Sequence, residues 1–176
     1  MKLKLHPYSK NFSKLFEKER RLITKVFERL GNFEIHHVGS TAVPGMMGKG
    51  IIDIVIAIED WKKGNNYIRA LKTIGFKHVH PEEKGRIFLS RIRQTKYGDT
   101  HLHLVKQKSK DLKELVSFRD LLRRNEKAAK RYIELKREWM RRANNDRKLF
   151  GSLKARSLKR NSVKSMIGLM RKRKNN

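Results

Sequence analysis

The run Ile51-Ile-Asp-Ile-Val-Ile-Ala-Ile58 constrains the fold more than any other segment of the chain. It is almost continuously apolar and β-branched, with no alternation of polar residues. Such a run reads as a strand buried on both faces, the kind found inside a sheet that is covered on each side. One carboxylate, Asp53, interrupts it. Left unpaired in those surroundings, a carboxylate would carry a heavy desolvation penalty, so Asp53 is expected to be paired, metal-bound or placed at the open end of the strand.

The flanking segments build an α/β (α+β) chain around that strand. Phe12, Leu15, Phe16, Leu22, Ile23, Val26, Phe27 and Leu30 recur at helical spacing and are closed by Gly31, which predicts an amphipathic first helix. Phe33 to Val38 is a short β-rich run that ends at Gly39-Ser40, with Pro44-Gly45 marking a loop beyond it. Asp60 is placed to cap a helix carrying Ile68, Leu71 and Ile74. Residues 76–80 and 86–93 read as two further strands, and Lys96-Tyr-Gly-Asp99 as a hairpin connection to Thr100-His-Leu-His-Leu-Val105. Period-2 alternation in that last strand puts His101 and His103 on one face. From Ser109 onward the pattern is helical, with a basic tail at 171–176. The whole reads as one domain, 1–176: a mixed sheet of about five strands over 1–108 and helices over 109–170.

Composition narrows the chemistry. The chain has no cysteine, which excludes disulfides, thiolate catalysis and Cys-ligated metal sites. No segment reaches the apolar length of a membrane span and Met1 opens no signal peptide, so no membrane partner and a cytoplasmic location are expected. The 45 Lys and Arg against 17 Asp and Glu give a net charge of +28, concentrated toward Arg119 to Asn176. Attraction to polyanions or anionic small molecules follows from that charge. Few aromatic rings remain for base stacking in this part, since Tyr132 and Trp139 fall on the apolar face of their helix. The basic helices therefore predict nonspecific, salt-sensitive RNA binding at most.

The residues suited to phosphate chemistry lie close in sequence. His37-Val-Gly-Ser-Thr-Ala-Val-Pro-Gly45 is a strand feeding a turn of small residues, where glycine lets the backbone approach a phosphate closely. Lys49 just before the Asp53 strand can offer a point charge, and Arg86 on a later strand a planar two-donor fork. His101 and His103 together with Asp53 would make an imidazole-imidazole-carboxylate set for one transition metal.

The run Val38-Gly-Ser-Thr-Ala-Val-Pro-Gly45, followed by Lys49 and Ile51-Ile-Asp-Ile54, resembles the GrpB family. Arg86 with Phe88, His101-Leu-His103, Phe118-Arg-Asp-Leu-Leu122 and Tyr132 with Leu135-Lys136 fall in the same order and spacing, so the resemblance runs from the Tyr8 region to about Ile167. It implies a polymerase-β-like nucleotidyltransferase core. On that resemblance Gly39, Ser40, Thr41, Lys49 and Arg86 would bind phosphate, Asp53 and His103 would be catalytic, and Asp53, His101 and His103 would hold a divalent ion such as Mg²⁺ or Mn²⁺. Arg119 and Asp120, three to four residues from Leu115, Val116 and Leu122 on a helix, are second-rank candidates, read as a structural ion pair packed against the sheet. Two departures matter. The superfamily pattern puts an Asp-x-Asp/Glu pair on the strand after the Gly-Ser turn, because two ions need bridging carboxylates, and here Val55 occupies the second position. Gly50 stands where the family pattern has proline. Two readings stay open: an enzyme that transfers a nucleotidyl group, with Glu34, Asp99 or Asp120 replacing the lost carboxylate, or a module that binds a nucleotide, another phosphate-containing small molecule or RNA without turnover.

Overall fold

The computed structural model describes residues 3–83, 85–92 and 99–160. The connection expected at 96–99 lies outside them except for Asp99, as does the tail at 171–176. The chain divides into two compact units, His6–Arg119, and Met1–Leu5 together with Asp120–Asn176. The division falls directly after Arg119, inside a helix.

The larger unit is a five-stranded mixed sheet. Its strands are β1 (Phe33–Val38), β2 (Ile52–Ile58), β3 (Lys77–Glu83), β4 (Arg86–Arg91) and β5 (Thr100–Lys106), in the order β1-β2-β5-β4-β3. β2 and β5 pair in parallel and the other neighbours are antiparallel. The apolar run is thus an internal strand. Ile52, Ile54, Ile56 and Ile58 face a core built with Phe12, Ile23 and Phe27 of α1 (Asn11–Phe27) and Tyr67, Ile68 and Leu71 of α2 (Gly64–Thr73). Val55 and Ala57 face the other way, where with Val38 and Val105 they meet Leu112, Leu115 and Val116 of α3 (Lys110–Arg124). Burial on both faces is what removes polar alternation from β2.

Two sequence boundaries shift. β3 runs on to Glu83 rather than stopping at His80, because Pro81 lies on an edge strand, where a missing N–H costs no internal ladder bond. Asp60 caps a short 3₁₀ turn, Trp61–Lys63, by accepting from the Lys62 N–H, and α2 begins only after it.

α1 also carries Glu19, which is buried on the apolar stripe of the helix and forms an ion pair with Arg91 of β4. The same guanidinium donates to the Ile74 carbonyl at 2.7 Å and lies 4.8 Å over the Phe76 ring. A helix, a strand and the end of α2 are thereby joined under the sheet.

The second unit contains α4 (Glu126–Ala143) and α5 (Arg147–Arg160). The Asn125 side chain caps α4 through the Ala128 N–H at 2.9 Å, and Asn144 ends it in the left-handed conformation, φ 43°. Tyr132, Trp139 and Phe150 form a chain of edge-to-face rings, and the Lys136 ammonium lies 5.2 Å over Tyr132. The rings are therefore consumed by packing rather than displayed. Glu126, Glu134 and Glu138 are paired with Lys130, Arg131 and Arg142 along the exposed side of α4. Among the described residues no helix is long and apolar enough to cross a membrane.

Candidate functional site

β1 ends at Val38, opposite Asp53 near the start of β2, so the turn that follows β1 is carried over the Asp53 side chain. Gly39 has φ 71° and ψ −166°, a region open almost only to glycine. A Cβ built on it would lie 2.2 Å from Asp53 Oδ2 and 2.9 Å from Asp53 Cβ and Cγ. Glycine is needed here twice over: for its backbone angles, and because the carboxylate occupies the space that a side chain would take. The backbone then enters a 3₁₀ turn, Ser40–Ala42.

The Thr41 side chain, expected to face phosphate, turns inward instead. It is 1% exposed, and its hydroxyl donates to the Ile51 carbonyl at 3.0 Å while its oxygen sits 3.0 Å from His37 Nε2. Since the hydroxyl proton goes to Ile51, His37 supplies the other one and carries its proton on Nε2. The His37 ring stacks on Phe16 at 4.6 Å, and its carbonyl accepts from Arg119 Nη1 at 3.1 Å. Thr41, His37 and Arg119 therefore fix the turn from below, and Arg119 acts on the site by holding the end of β1.

Asp53 is about a third exposed, and Oδ1 lies 3.5 Å from His101 Nδ1. The carboxylate is thus paired with an imidazole at the open end of β2, which answers the question its position in the apolar run raises. His103 is held differently. Arg86 points Nε and Nη2 at His103 Nδ1, at 3.2 and 2.9 Å. A guanidinium only donates, so Nδ1 must offer its lone pair and the proton sits on Nε2. No ring nitrogen of His103 is then open to a metal without displacing Arg86. Phe88 stands against both imidazoles, 5.1 Å from each. Among the described residues no three carboxylates or imidazoles gather closely enough to hold an ion. The three-ligand centre of Asp53, His101 and His103 expected from sequence is replaced by two separate pairs, Asp53 with His101 and Arg86 with His103.

On β2 itself the second carboxylate position is held by an apolar side chain. Val55 is fully buried beneath α3. Glu34 pairs across from Ala57, four residues along the strands from Asp53, and its carboxylate is engaged by Gln107 Nε2 at 2.8 Å and His36 Nε2 at 3.2 Å. Asp120 belongs to the other unit. Within the sheet unit, Asp99 adjoins the start of β2, its carbonyl accepting from the Ile52 N–H at 2.8 Å. Among the described residues, the groups around Asp53 do not fit a two-ion centre. They do fit a single ion that reaches Asp53 already coordinated by phosphate, because Mg²⁺ commonly takes one protein carboxylate beside substrate oxygens.

Lys49 is exposed in the loop before β2, and Gly50 beside it has φ 74°. Proline cannot adopt that angle, so the departure from the family pattern at Gly50 gives this loop a path of its own.

The Gln107 and His36 hydrogen bonds, in that order, hold the Glu34 carboxyl below its ordinary pKa. A lowered folded-state pKa contributes stability above the unfolded value, near 4.3, and that contribution is lost as pH falls through the folded one. Glu34→Gln is expected to flatten the fall of the melting temperature below about pH 4.5. The pair is partly solvated, so the change should stay under about 1 kcal/mol. An unchanged acid limb in thermal melts would show that Glu34 has no such role.

Sequence reasoning missed the Glu19–Arg91 pair and the engagement of Glu34 by Gln107. The first had a signal, a carboxylate standing in the helical stripe Phe12, Phe16, Glu19, Ile23, Phe27. The second had none.

With this geometry in view, the chain can be set beside known proteins. A family model described as GrpB protein matches residues 2–162. The glutamate-rich protein GrpB of Alkalihalophilus pseudofirmus is 32% identical over 145 residues, covering 79% of this chain and 82% of that one. A relative from Halalkalibacterium halodurans is spanned to 66% of its length. The crystal structure of conserved protein GrpB from Enterococcus faecalis superposes with a TM-score of 0.73 at 21% identity, over 89% of this chain and 98% of that one. The Cid1 poly(U) polymerase bound to MgATP gives a TM-score of 0.57 at 9% identity, over 78% of this chain but only 45% of the polymerase. The fold is that of the polymerase-β-like nucleotidyltransferases.

Proposed function

The chain belongs to the GrpB family, and from that premise we propose that its sheet unit binds a nucleoside triphosphate or a related phosphate compound at Gly39, Ser40 and Asp53 and transfers the nucleotidyl group. The observation that carries this reading is the approach of the Gly39 backbone to the Asp53 carboxylate, with the site of a Cβ only 2.2 Å from Oδ2. That contact fixes a small-residue turn directly above an acid that is about a third exposed. Triphosphate oxygens would lie along the turn, and Asp53 would take a place on the Mg²⁺ or Mn²⁺ that accompanies them. Lys49 would add a point charge from its exposed loop. His101, rather than His103, is the imidazole in contact with Asp53.

Binding without turnover is the second reading, and the fully buried Val55 favours it. Pyrophosphate release from an NTP in the presence of candidate acceptors separates the two.

Asp53→Asn tests both. The amide keeps the size and hydrogen-bonding capacity of the side chain and removes its charge, so the fold should persist. A specific ligand present at about 100 times its Kd stabilises the wild-type chain by about 2.7 kcal/mol. Divalent-dependent thermal stabilisation by ATP, GTP, CTP or UTP should be seen with the wild-type chain and be lost in Asp53→Asn. Metal-dependent stabilisation of equal size in the variant would refute the role of Asp53.

A further inference from the structure

We propose that the larger unit holds a second small molecule, a hydroxyl-bearing aliphatic anion, in the cavity lined by Gly75, Lys77, Ser90 and Ile92. The assignment rests on the phosphate reading of Asp53 for its purpose, as the acceptor of the transferred group, but its binding rests on different residues.

The register places this cavity. Val38 pairs with Asp53, Asp53 with His101, His101 with Ser90 and Ser90 with Lys77, so these five residues form one row across all five strands. In-register neighbours share a face of the sheet. The cavity therefore lies on the face that carries Asp53, beyond His101, with the imidazole between it and the carboxylate. Ile92, two residues past Ser90, shares that face and is 72% exposed. It is a large apolar side chain at the border of a concave surface.

The lining chemistry defines the occupant. The exposed Lys77 ammonium calls for an anionic group, Ile92 for an aliphatic segment, and Ser90 offers a hydroxyl to a polar atom. From Lys77 on β3 to His101 on β5 is two strand spacings, about 10 Å. A chain of about six carbons fills that span, with an anion at one end and a hydroxyl at the other. The hydroxyl end then meets His101, whose Nδ1 faces Asp53 and whose Nε2 is the nitrogen left for it. In transfer, the acceptor oxygen attacks the α-phosphorus of the bound nucleoside triphosphate. The new O–P bond replaces the bond to the β-phosphate, pyrophosphate leaves, and the acceptor proton passes to His101 Nε2.

The test is an amide-resolved NMR titration of the full chain with 6-hydroxyhexanoate and with 6-hydroxyhexyl phosphate, the two arms deciding between carboxylate and phosphate. Saturable shifts are expected at Gly75, Lys77, Ser90, Ile92 and His101. Lys77→Glu should weaken binding at least tenfold, Lys77→Arg should retain it, and Ile92→Asp should weaken it with the fold intact. Asp53→Asn should leave it within about twofold. Retained probe binding in Asp53→Asn alongside a wild-type chain that binds no NTP would remove the proposed function and leave this cavity assignment standing. No saturable shift with either probe, shifts confined to other strands, or full binding in Lys77→Glu would overturn the assignment.

Discussion

Gly39→Ala is expected to lose at least tenfold in nucleotide affinity and about 1–3 kcal/mol in stability, the cost of holding a non-glycine residue in a sparsely allowed backbone region. Two penalties coincide at this residue. φ of 71° with ψ of −166° excludes L side chains on backbone grounds, and the added methyl would meet Asp53 Oδ2 at 2.2 Å. Either the turn lifts or the carboxylate swings away, and both separate the turn from the acid. Gly45→Ala is the control. Its φ of 75° is also positive, yet nothing lies within 4 Å of its added Cβ, so it should show backbone strain alone, about 1–2 kcal/mol, and keep its nucleotide response. Asp53→Ala, combined with Gly39→Ala, removes the carboxylate from the clash and should return part of the lost stability, a coupling of about 0.5–3 kcal/mol. Thermal melts of the three single variants and of the double variant read this directly. A Gly39→Ala chain as stable and as responsive as wild type would mean that the turn does not sit on Asp53 in solution.

The larger effect on folding should come from a pair remote from the site. Glu19→Ala leaves the Arg91 guanidinium without the carboxylate it meets under the sheet, and breaking a buried pair by removing one partner costs about 3–5 kcal/mol. In a chain of this size that corresponds to a fall in Tm of about 6–20 °C. The cost is desolvation, since both side chains are almost out of water, 4% exposed for Glu19 and 11% for Arg91. Removing both charges should therefore do less harm than removing one. Glu19→Leu with Arg91→Met is expected to recover most of the loss, because an apolar pair of similar volume needs no compensation. The guanidinium also holds the Ile74 carbonyl and the Phe76 ring, so some loss should remain. Circular dichroism melts of the single and double variants decide the matter. A Glu19→Ala chain within about 1 kcal/mol of wild type would show the pair to be solvated.

Most of the sheet was legible in the sequence because its signals are local. β2 declared itself by an unbroken β-branched run, β5 by alternation of histidine and leucine, and the turn after β1 by Gly39-Ser40. Misplaced boundaries have local causes too. The strand read over 76–80 runs on to Glu83, since Pro81 sits on an edge strand where its missing N–H breaks no internal ladder.

The partners of charged and hydroxyl side chains were not legible. Thr41 lies in the small-residue turn with Gly39 and Ser40, yet its hydroxyl turns inward to the Ile51 carbonyl. His101 and His103 share a face by period, but the one pairs with Asp53 and the other with Arg86, 17 residues away in sequence. Lys77, Ser90 and Ile92 carry no motif at all and meet only because β3, β4 and β5 align in register.

The sequence by itself determined which segments are strands and helices, which face of each is apolar, and that an acid lies beside a small-residue turn. Propensity, period and glycine angles are properties of neighbours along the chain. Tertiary structure alone decided that Val55 is sealed under α3, that Arg86 occupies His103, that Gly39 is pressed against Asp53, and that a cavity continues the Asp53 row. Hydrogen bonds and ion pairs form between groups within about 3–4 Å of each other, and distances that short between remote segments are set by strand order and register.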